Sequence, residues 1–327
     1  MTSSPVLPAN ATLGDVGEFG LIDALAKKFA QGSNVLLGPG DDAAVVAIPN
    51  GRVVVSTDLL VDTRHFRRDW VSATDVGRRA AAQNLSDINA MGGRATALTV
   101  GLAAPADLPV AWALELAEGL AEESALVGAS VVGGDLTRAD EVMIAVSVLG
   151  MVDGEPVRRS GARPGDVVAI AGRQGWAAAG LAVLGRGFRS PRVLVEAYRR
   201  PEPPYAAGAQ ALAAGATAMI DVSDGLLADT GHIAAASGVG IDIRSSVFEV
   251  PEPLQAVGAA LGTDPMRFIL AGGDDHALVA TYPADVSLPD GWTAIGEVHE
   301  PDSDPDAPRV TVDGATYEGP TGHQHFR

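Results

Sequence analysis

Four times in this chain an apolar run leads through glycine or a short polar turn into aspartate. Gly40-Asp41-Asp42 follows Val35–Leu37, and Gly133-Gly134-Asp135 follows Ser130–Val132. Asp221-Val222-Ser223-Asp224-Gly225 follows Ala218–Ile220, and Gly272-Gly273-Asp274-Asp275-His276 follows the run Arg267–Ala271. Glycine admits the backbone angles that a sharp bend needs and lets a second group come close to the main chain. The runs between the bends alternate between strand and helix periodicity, which predicts an α/β (α+β) protein with its carboxylates at strand ends and turns.

The chain in order supports that class. Residues 1–13, rich in Ser, Pro and Asn, are expected to form a flexible leader. Phe19, Ile22, Ala26 and Phe29 fall at helical spacing from Glu18 onward, and Gly32-Ser33-Asn34 ends that helix. Strands are expected at 35–37, 43–48 and 52–56, the last delivering Ser56-Thr57-Asp58. Thr74 is a good N-cap for a helix to about Met91 with Gly92-Gly93 beyond it. That helix sets Asn84 and Asp87 on one face and buries Val76, Ala80, Ile88 and Met91. Strand 95–102, a helix after Asp107 and Pro109, and strands 130–132 and 143–151 complete the first domain, 14–153. The turn-rich stretch Arg158-Arg159-Ser160-Gly161 to Pro164-Gly165-Asp166 opens a second domain, 154–327. Strands are expected there at 167–171, 218–220, 240–243, 278–281, 293–297 and 310–312. Helices are expected at 175–184, 191–199, 205–214, 226–236 and 253–261.

Composition removes several classes of function. No apolar run reaches the roughly 18–20 residues of a membrane span, and no basic-then-apolar leader opens the chain, so a cytoplasmic protein is expected. There is no cysteine, hence no disulfide, thiolate metal site or cysteine nucleophile. The net charge of −18 argues against a nucleic-acid surface, which needs a basic footprint. Lys27 and Lys28 are the only lysines, so neither a lysine phosphate loop nor a lysine-dependent protein-kinase site is available.

Carboxylates and hydroxyls alone suit a hard cation such as Mg2+. Asp41 and Asp42 fit two roles, turn residues or cation ligands, and the recurrence of the pattern favours ligands. If the many bend carboxylates converged they would repel one another unless cations neutralised them, and several Mg2+ ions in one site mostly serve phosphoryl transfer. His65 lies within a few residues of Asp58 and is either a surface residue or a substrate contact. Arg158-Arg159 is a solvated basic turn or a phosphate clamp, for which arginine is well shaped.

The combination of motifs resembles the thiamine-monophosphate kinase family, within the aminoimidazole ribonucleotide synthetase-like ATP-binding superfamily. It is carried by Gly40-Asp41-Asp42-Ala43-Ala44-Val45, Ser56-Thr57-Asp58, His65-Phe66, Asn84 through Gly92, Gly133-Gly134-Asp135-Leu136-Thr137-Arg138 and Asp221-Val222-Ser223-Asp224-Gly225-Leu226. Gly17 through Ile22 and Arg159 through Asp166 fit it too. The resemblance implies a two-domain fold whose N-terminal sheets pair across a homodimer interface. It also implies ATP-dependent phosphorylation of thiamine monophosphate to thiamine diphosphate with several Mg2+ ions. By motif, Asp42, Ser56, Thr57, Asp58, Asp87, Asp135, Asp221 and Asp224 would hold metal, with Asp42, Asp87, Asp221 and Asp224 at the chemistry. Gly134, Asp135, Arg159 and Ser223 would face ATP; His65, Asp274 and His323 would face the thiamine substrate. Asp274 and His276 stand where the family usually has Glu and Tyr, and His323 where it has an aromatic residue. A relative that activates an amide, or a nucleotide-binding subunit without turnover, would share the fold.

Overall fold

The computed structural model describes residues 10–39, 44–49, 51–304 and 307–323. Two compact units emerge: the chain up to Leu85 with Ala95–Met151, and Ser86–Arg94 with the chain from Val152 onward. Among the described residues no helix is long and apolar enough to cross a membrane.

The first unit opens earlier than the apolar spacing suggests. Helix α1 spans Leu13–Ala26, started by a capping box in which Thr12 and Asp15 exchange hydrogen bonds. This reciprocal cap satisfies two N–H groups that would otherwise lack partners, so the helix begins at the cap. Ala11, in the expected leader, is buried, and Leu13 donates to the Leu108 carbonyl. Strands β1 (Val35–Leu37) and β2 (Val45–Val46) pair antiparallel. A four-stranded sheet follows, in the order β3 (Val54–Val61), β6 (Met143–Met151), β4 (Arg94–Ala104), β5 (Ser130–Arg138). β3 and β6 are antiparallel, β4 and β5 parallel.

Helices α2 (Ala73–Ala90) and α3 (Val110–Leu126) cross at glycines. A Cβ on Gly77 would lie 2.1 Å from the Leu116 carbonyl oxygen, and one on Gly119 would lie 1.9 Å from that of Thr74. Arg78 Nε donates to buried Glu123 at 3.0 Å beside the crossing. α2 is buried nearly all round, including Ala80, Ala81, Ala82, Leu85 and Ile88, which is why its sequence is so rich in alanine.

The second unit is built on a six-stranded sheet ordered β12-β9-β11-β7-β10-β8. Its strands are β7 (Val167–Ala171), β8 (Ala218–Asp221), β9 (Gly240–Ile243), β10 (Leu278–Tyr282), β11 (Trp292–His299) and β12 (Val310–Val312). All pairs are antiparallel except β12 with β9. Helices α4 (Trp176–Gly185), α5 (Arg192–Arg199), α6 (Ala207–Ala214), α7 (Leu226–Ser237), α8 (Glu252–Leu261) and α9 (Met266–Ala271) complete the unit. Val168, Ile170, Ile220, Val279 and Ile295 fill one apolar cluster, and Ala169, Ala171, Met219, Leu278 and Tyr282 fill another. Both faces are therefore covered at β7, β8 and β10, which read as continuous apolar runs, while β11 alternates between buried and exposed residues.

The helix crossing gives a direct test. Gly77→Ala forces a methyl onto a backbone oxygen and is expected to cost about 1–3 kcal/mol in urea unfolding. Gly101→Ala, where the nearest atom is 3.6 Å away, is expected to be close to neutral.

Candidate functional site

Three segments of the second unit meet where β8 ends. The chain leaves β8 at Asp221, and Val222 donates to the Ala277 carbonyl while His276 donates back to that of Val222. Asp274 then donates to the Ser223 carbonyl at 2.9 Å. At this point a Cβ on Gly273 would sit 1.9 Å from the Ser223 oxygen, so only glycine lets the two bends touch. The third segment is the C-terminal stretch. Ala228 donates to the Thr321 carbonyl at 3.1 Å, and His323 to that of Asp224 at 2.9 Å. Ser223, Asp224, Asp274 and His323 are thus gathered by main-chain bonds; Ser223 and His323 are exposed, Asp224 and Asp274 half-buried.

Buried side chains support this shelf from beneath. His276 Nδ1 lies 3.1 Å from Asp221 Oδ2, both side chains under 8% exposed. With its proton on Nδ1, the imidazole donates to this carboxylate oxygen. Asp229, in the first turn of α7, accepts from the Asp224 and Gly225 N–H groups, both at 3.0 Å. Burial pushes Asp229 up to about 7, and the charges of Asp221 and Asp224 add to the rise against those two N–H groups. Asp275 Oδ1 accepts from Ala177 at 3.0 Å, capping α4, whose own N-cap residue is Gly175. Burial again pushes Asp275 up to about 7, opposed by the Ala177 N–H and the positive charge of Arg173. Gln174 Nε2 donates to the Ile269 and Gly272 carbonyls and fixes the same bend from the other side.

The residues expected from sequence in the first unit take different positions from those foreseen. Ser56-Thr57-Asp58 lies inside β3 instead of at a strand end. Side chains alternate along a strand, and the Thr57 hydroxyl pairs with that of Ser147 at 2.8 Å on the face carrying Val55 and Leu59. Asp58 and Ser56 point to the opposite face, so Thr57 and Asp58 present their side chains on different sides of the sheet. Asn84 Oδ1 accepts the Asp58 N–H at 3.2 Å, while its Nδ2 donates to the Ala80 carbonyl. Gly133-Gly134-Asp135 is likewise not a bend: β5 runs on to Arg138, with Val132 as an extra residue in its register against β4. Gly134 serves close approach, since a Cβ there would be 1.9 Å from the Val100 oxygen, and Asp135 is exposed on that strand. His65 Nδ1 accepts from the Val61 N–H at 3.0 Å, so a neutral imidazole carries its proton on Nε2.

Asp87 is half-buried in the last turns of α2, within the second unit. Arg159 is exposed, and its carbonyl is bonded to Ser237. Ser237 ends the 12-residue α7, whose other end carries Gly225. At 1.5 Å per residue this puts the Arg159 backbone about 18 Å from the bend of Asp221–Gly225. Asp42, with Gly40, Asp41 and Ala43, lies outside the described residues. Asp229 and Asn84 were not among the residues assigned a role from sequence; Asp275 was counted there with the bend carboxylates and His276 with the departures from the family pattern, and here Asp275 caps α4 while His276 supports Asp221. Asp229 had a signal, a carboxylate in the first turn of a helix that follows a polar bend.

Mg2+ is usually held by one or two carboxylates, with waters and substrate phosphates completing its shell. Asp221, Ser223 and Asp224 at the β8 bend fit that habit as oxygen donors, and the two carboxylates lie near enough that their charges help push Asp229 toward its neutral form. Among the described residues no three aspartate, glutamate or histidine side chains gather closely enough to hold a metal by themselves.

Residues 40–152 match the family described as AIR synthase related protein, N-terminal domain, and residues 163–300 match its C-terminal domain. The thiamine-monophosphate kinase of Mycobacterium tuberculosis is 49% identical over 317 residues, covering 96% of this chain and 93% of its own. The chain belongs to the thiamine-monophosphate kinase family. The family enzyme of Corynebacterium glutamicum is 41% identical, with 88% of this chain and 87% of the relative covered. A solved structure of the family, AaThiL complexed with AMPPCP and TMP, superposes with a TM-score of 0.78 at 32% identity, covering 97% of this chain and 99% of that one. The two-domain AIR synthase-like fold read from sequence is therefore the fold of this chain.

The buried acids make stability depend on pH in a defined direction. Asp275 titrates near 7 when folded against an ordinary value of 3.8, so between those limits the folded state holds more protons than the unfolded one. Stability falls as pH rises through that window, by up to about 1.4 kcal/mol per pH unit for each such group. Asp275→Asn keeps an acceptor for the Ala177 N–H but cannot ionise. Urea unfolding of this variant is expected to show a shallower decline between pH 5 and 7 than the parent.

Proposed function

We propose that this chain transfers the γ-phosphoryl group of ATP to the phosphate of thiamine monophosphate, giving thiamine diphosphate and ADP, the last step in making that diphosphate. The observation that carries the reading is likeness to thiamine-monophosphate kinases along almost the whole chain, with 49% identity to one of them. The family structure complexed with AMPPCP and TMP supports the same pair of ligands, AMPPCP being an ATP analogue.

In this reading the acceptor is a phosphate monoester, already largely ionised at neutral pH because its second pKa is about 6. No general base is then required, and transfer proceeds in line, directly from ATP, without a phosphoenzyme. The difficulty is the meeting of two anions. Asp42, Ser56, Thr57, Asp58, Asp87, Asp135, Asp221 and Asp224 would hold Mg2+ ions, which would supply positive charge to offset the phosphates. Asp42, Asp87, Asp221 and Asp224 are assigned to the reacting phosphates; Thr57 is assigned to metal, through its main chain because its hydroxyl pairs with that of Ser147. His276 holds one oxygen of Asp221 and leaves the other available. Asp229 fixes the main chain of Asp224 and Gly225, so Asp224 does not have to be ordered when substrate arrives. Gly134, Asp135, Arg159 and Ser223 are assigned to ATP, and His65, Asp274 and His323 to the thiamine phosphate.

We further propose a homodimer formed through the domain of residues 14–153. β3 is an edge strand, and Val55 and Leu59 on its outer face are 58% and 50% exposed. An apolar edge of this kind invites pairing with another chain. Leu59→Glu is expected to convert a sedimenting species of twice the chain mass into one of single mass; an unchanged sedimentation coefficient would contradict the interface.

The reaction is tested by ADP release with Mg-ATP and, separately, thiamine monophosphate, thiamine or aminoimidazole-pathway amides. Turnover is expected with thiamine monophosphate alone, and Asp42→Asn and Asp224→Asn are expected to lower it by about 100-fold or more. Release with another acceptor would discard the substrate, and nucleotide binding without release would discard the enzyme.

A further inference from the structure

The hydroxyl of Ser237 directs its whole bonding capacity at one turn that is distant in sequence. It accepts from the N–H groups of Gly161 at 3.1 Å and Ala162 at 3.2 Å, and it donates to the Arg159 carbonyl at 3.1 Å. A serine hydroxyl has one proton and two lone pairs, so these three bonds saturate it. A serine in the last turn of a helix more often bonds its own helix four residues back. Here it reaches out of α7 instead.

The rest of that turn is held with equal economy. Met219 of β8 donates to the Arg158 carbonyl at 2.9 Å, and Val157 donates to the Met91 carbonyl at 3.1 Å. Gly161 has φ +148°, and a Cβ there would lie 2.2 Å from the Thr217 oxygen, so the turn passes tightly over the start of β8. Ala162 is buried. Within this fixed main chain the side chains of Arg158, Arg159 and Ser160 are left exposed. A guanidinium on an immobilised turn binds a phosphate with less loss of freedom than one on a mobile loop.

We infer that Ser237 is a positioning residue for nucleotide binding, acting through Arg159 by holding the Arg159–Ala162 turn in the conformation that presents the guanidinium to the phosphates of ATP. The inference rests on the assignment of Arg159 to ATP made above. Ser237 itself touches no substrate, and its effect passes through the main chain of the turn.

The test is a double-mutant cycle on the full chain, using Ser237→Ala, Arg159→Ala and the pair, with KM for ATP, KM for thiamine monophosphate, kcat and Tm measured for each. Ser237→Ala is expected to raise KM for ATP about 5-fold, with KM for thiamine monophosphate and kcat within about 2-fold of the parent. The double variant is expected to match Arg159→Ala within about 2-fold, because removing the guanidinium removes what the hydroxyl positions. If Ser237→Ala does not fold by circular dichroism, Ser237→Thr is compared with Ser237→Val, its isostere without the hydroxyl. Threonine should then keep the parent KM for ATP and valine should not. Multiplicative effects in the double variant, or a fall in Tm with KM for ATP unchanged, would overturn the inference and leave Arg159 at the nucleotide. An unaltered KM for ATP in Arg159→Ala would remove the assignment of Arg159 and the inference together.

Discussion

The shelf of the second unit depends on one close approach. The Asp274 N–H meets the Ser223 carbonyl across a space that a single methyl on Gly273 would close. With that contact made, the bend of Asp221–Gly225 and the bend of Gly272–His276 become one rigid body. His276 then lies under Asp221, Asp275 reaches the N-terminus of α4, and His323 docks on the Asp224 carbonyl. A candidate site built on bends is normally at risk from loop mobility. Here the bends are main-chain extensions of β8 and β10, and they inherit the stiffness of a sheet covered on both faces.

That rigidity is obtained with buried acids. Asp229 and Asp275 are held where water cannot solvate a charge, and both are pushed to about 7. Each supplies oxygens to N–H groups at the start of a helix, α7 in one case and α4 in the other. Helix N-termini carry partial positive charge and unfilled donors, which is the environment that compensates a buried carboxylate best. The carboxylates that remain more open, Asp224 and Asp274, stand above these supports.

The chain order of strands and helices was legible because apolar periodicity and glycine turns are local signals. The second unit's strands and most of its helices fall close to where that periodicity placed them. Long-range pairing was not legible. Gly133-Gly134-Asp135 looks like a bend in isolation, yet β4 lies alongside it and the glycines serve a close strand approach with one extra residue in register. Ser56-Thr57-Asp58 looks like one ligand set, but strand alternation turns Thr57 and Asp58 to opposite faces. The early start of α1 was carried by a capping box at Thr12 and Asp15, a local signal outweighed by the apolar spacing that begins at Phe19. The long-range supports, His276 under Asp221 and Ser237 on the Arg159 carbonyl, join residues 55 and 78 positions apart. No local pattern specifies such pairs.

Direct transfer between two phosphates, with no base and no covalent enzyme intermediate, is the central claim. It is tested most directly by the stereochemistry of transfer from ATP made chiral at its γ-phosphorus. A single in-line displacement inverts configuration, and inversion in the thiamine diphosphate formed is the predicted result. Retention would require two displacements through a phosphorylated side chain, and would contradict the account.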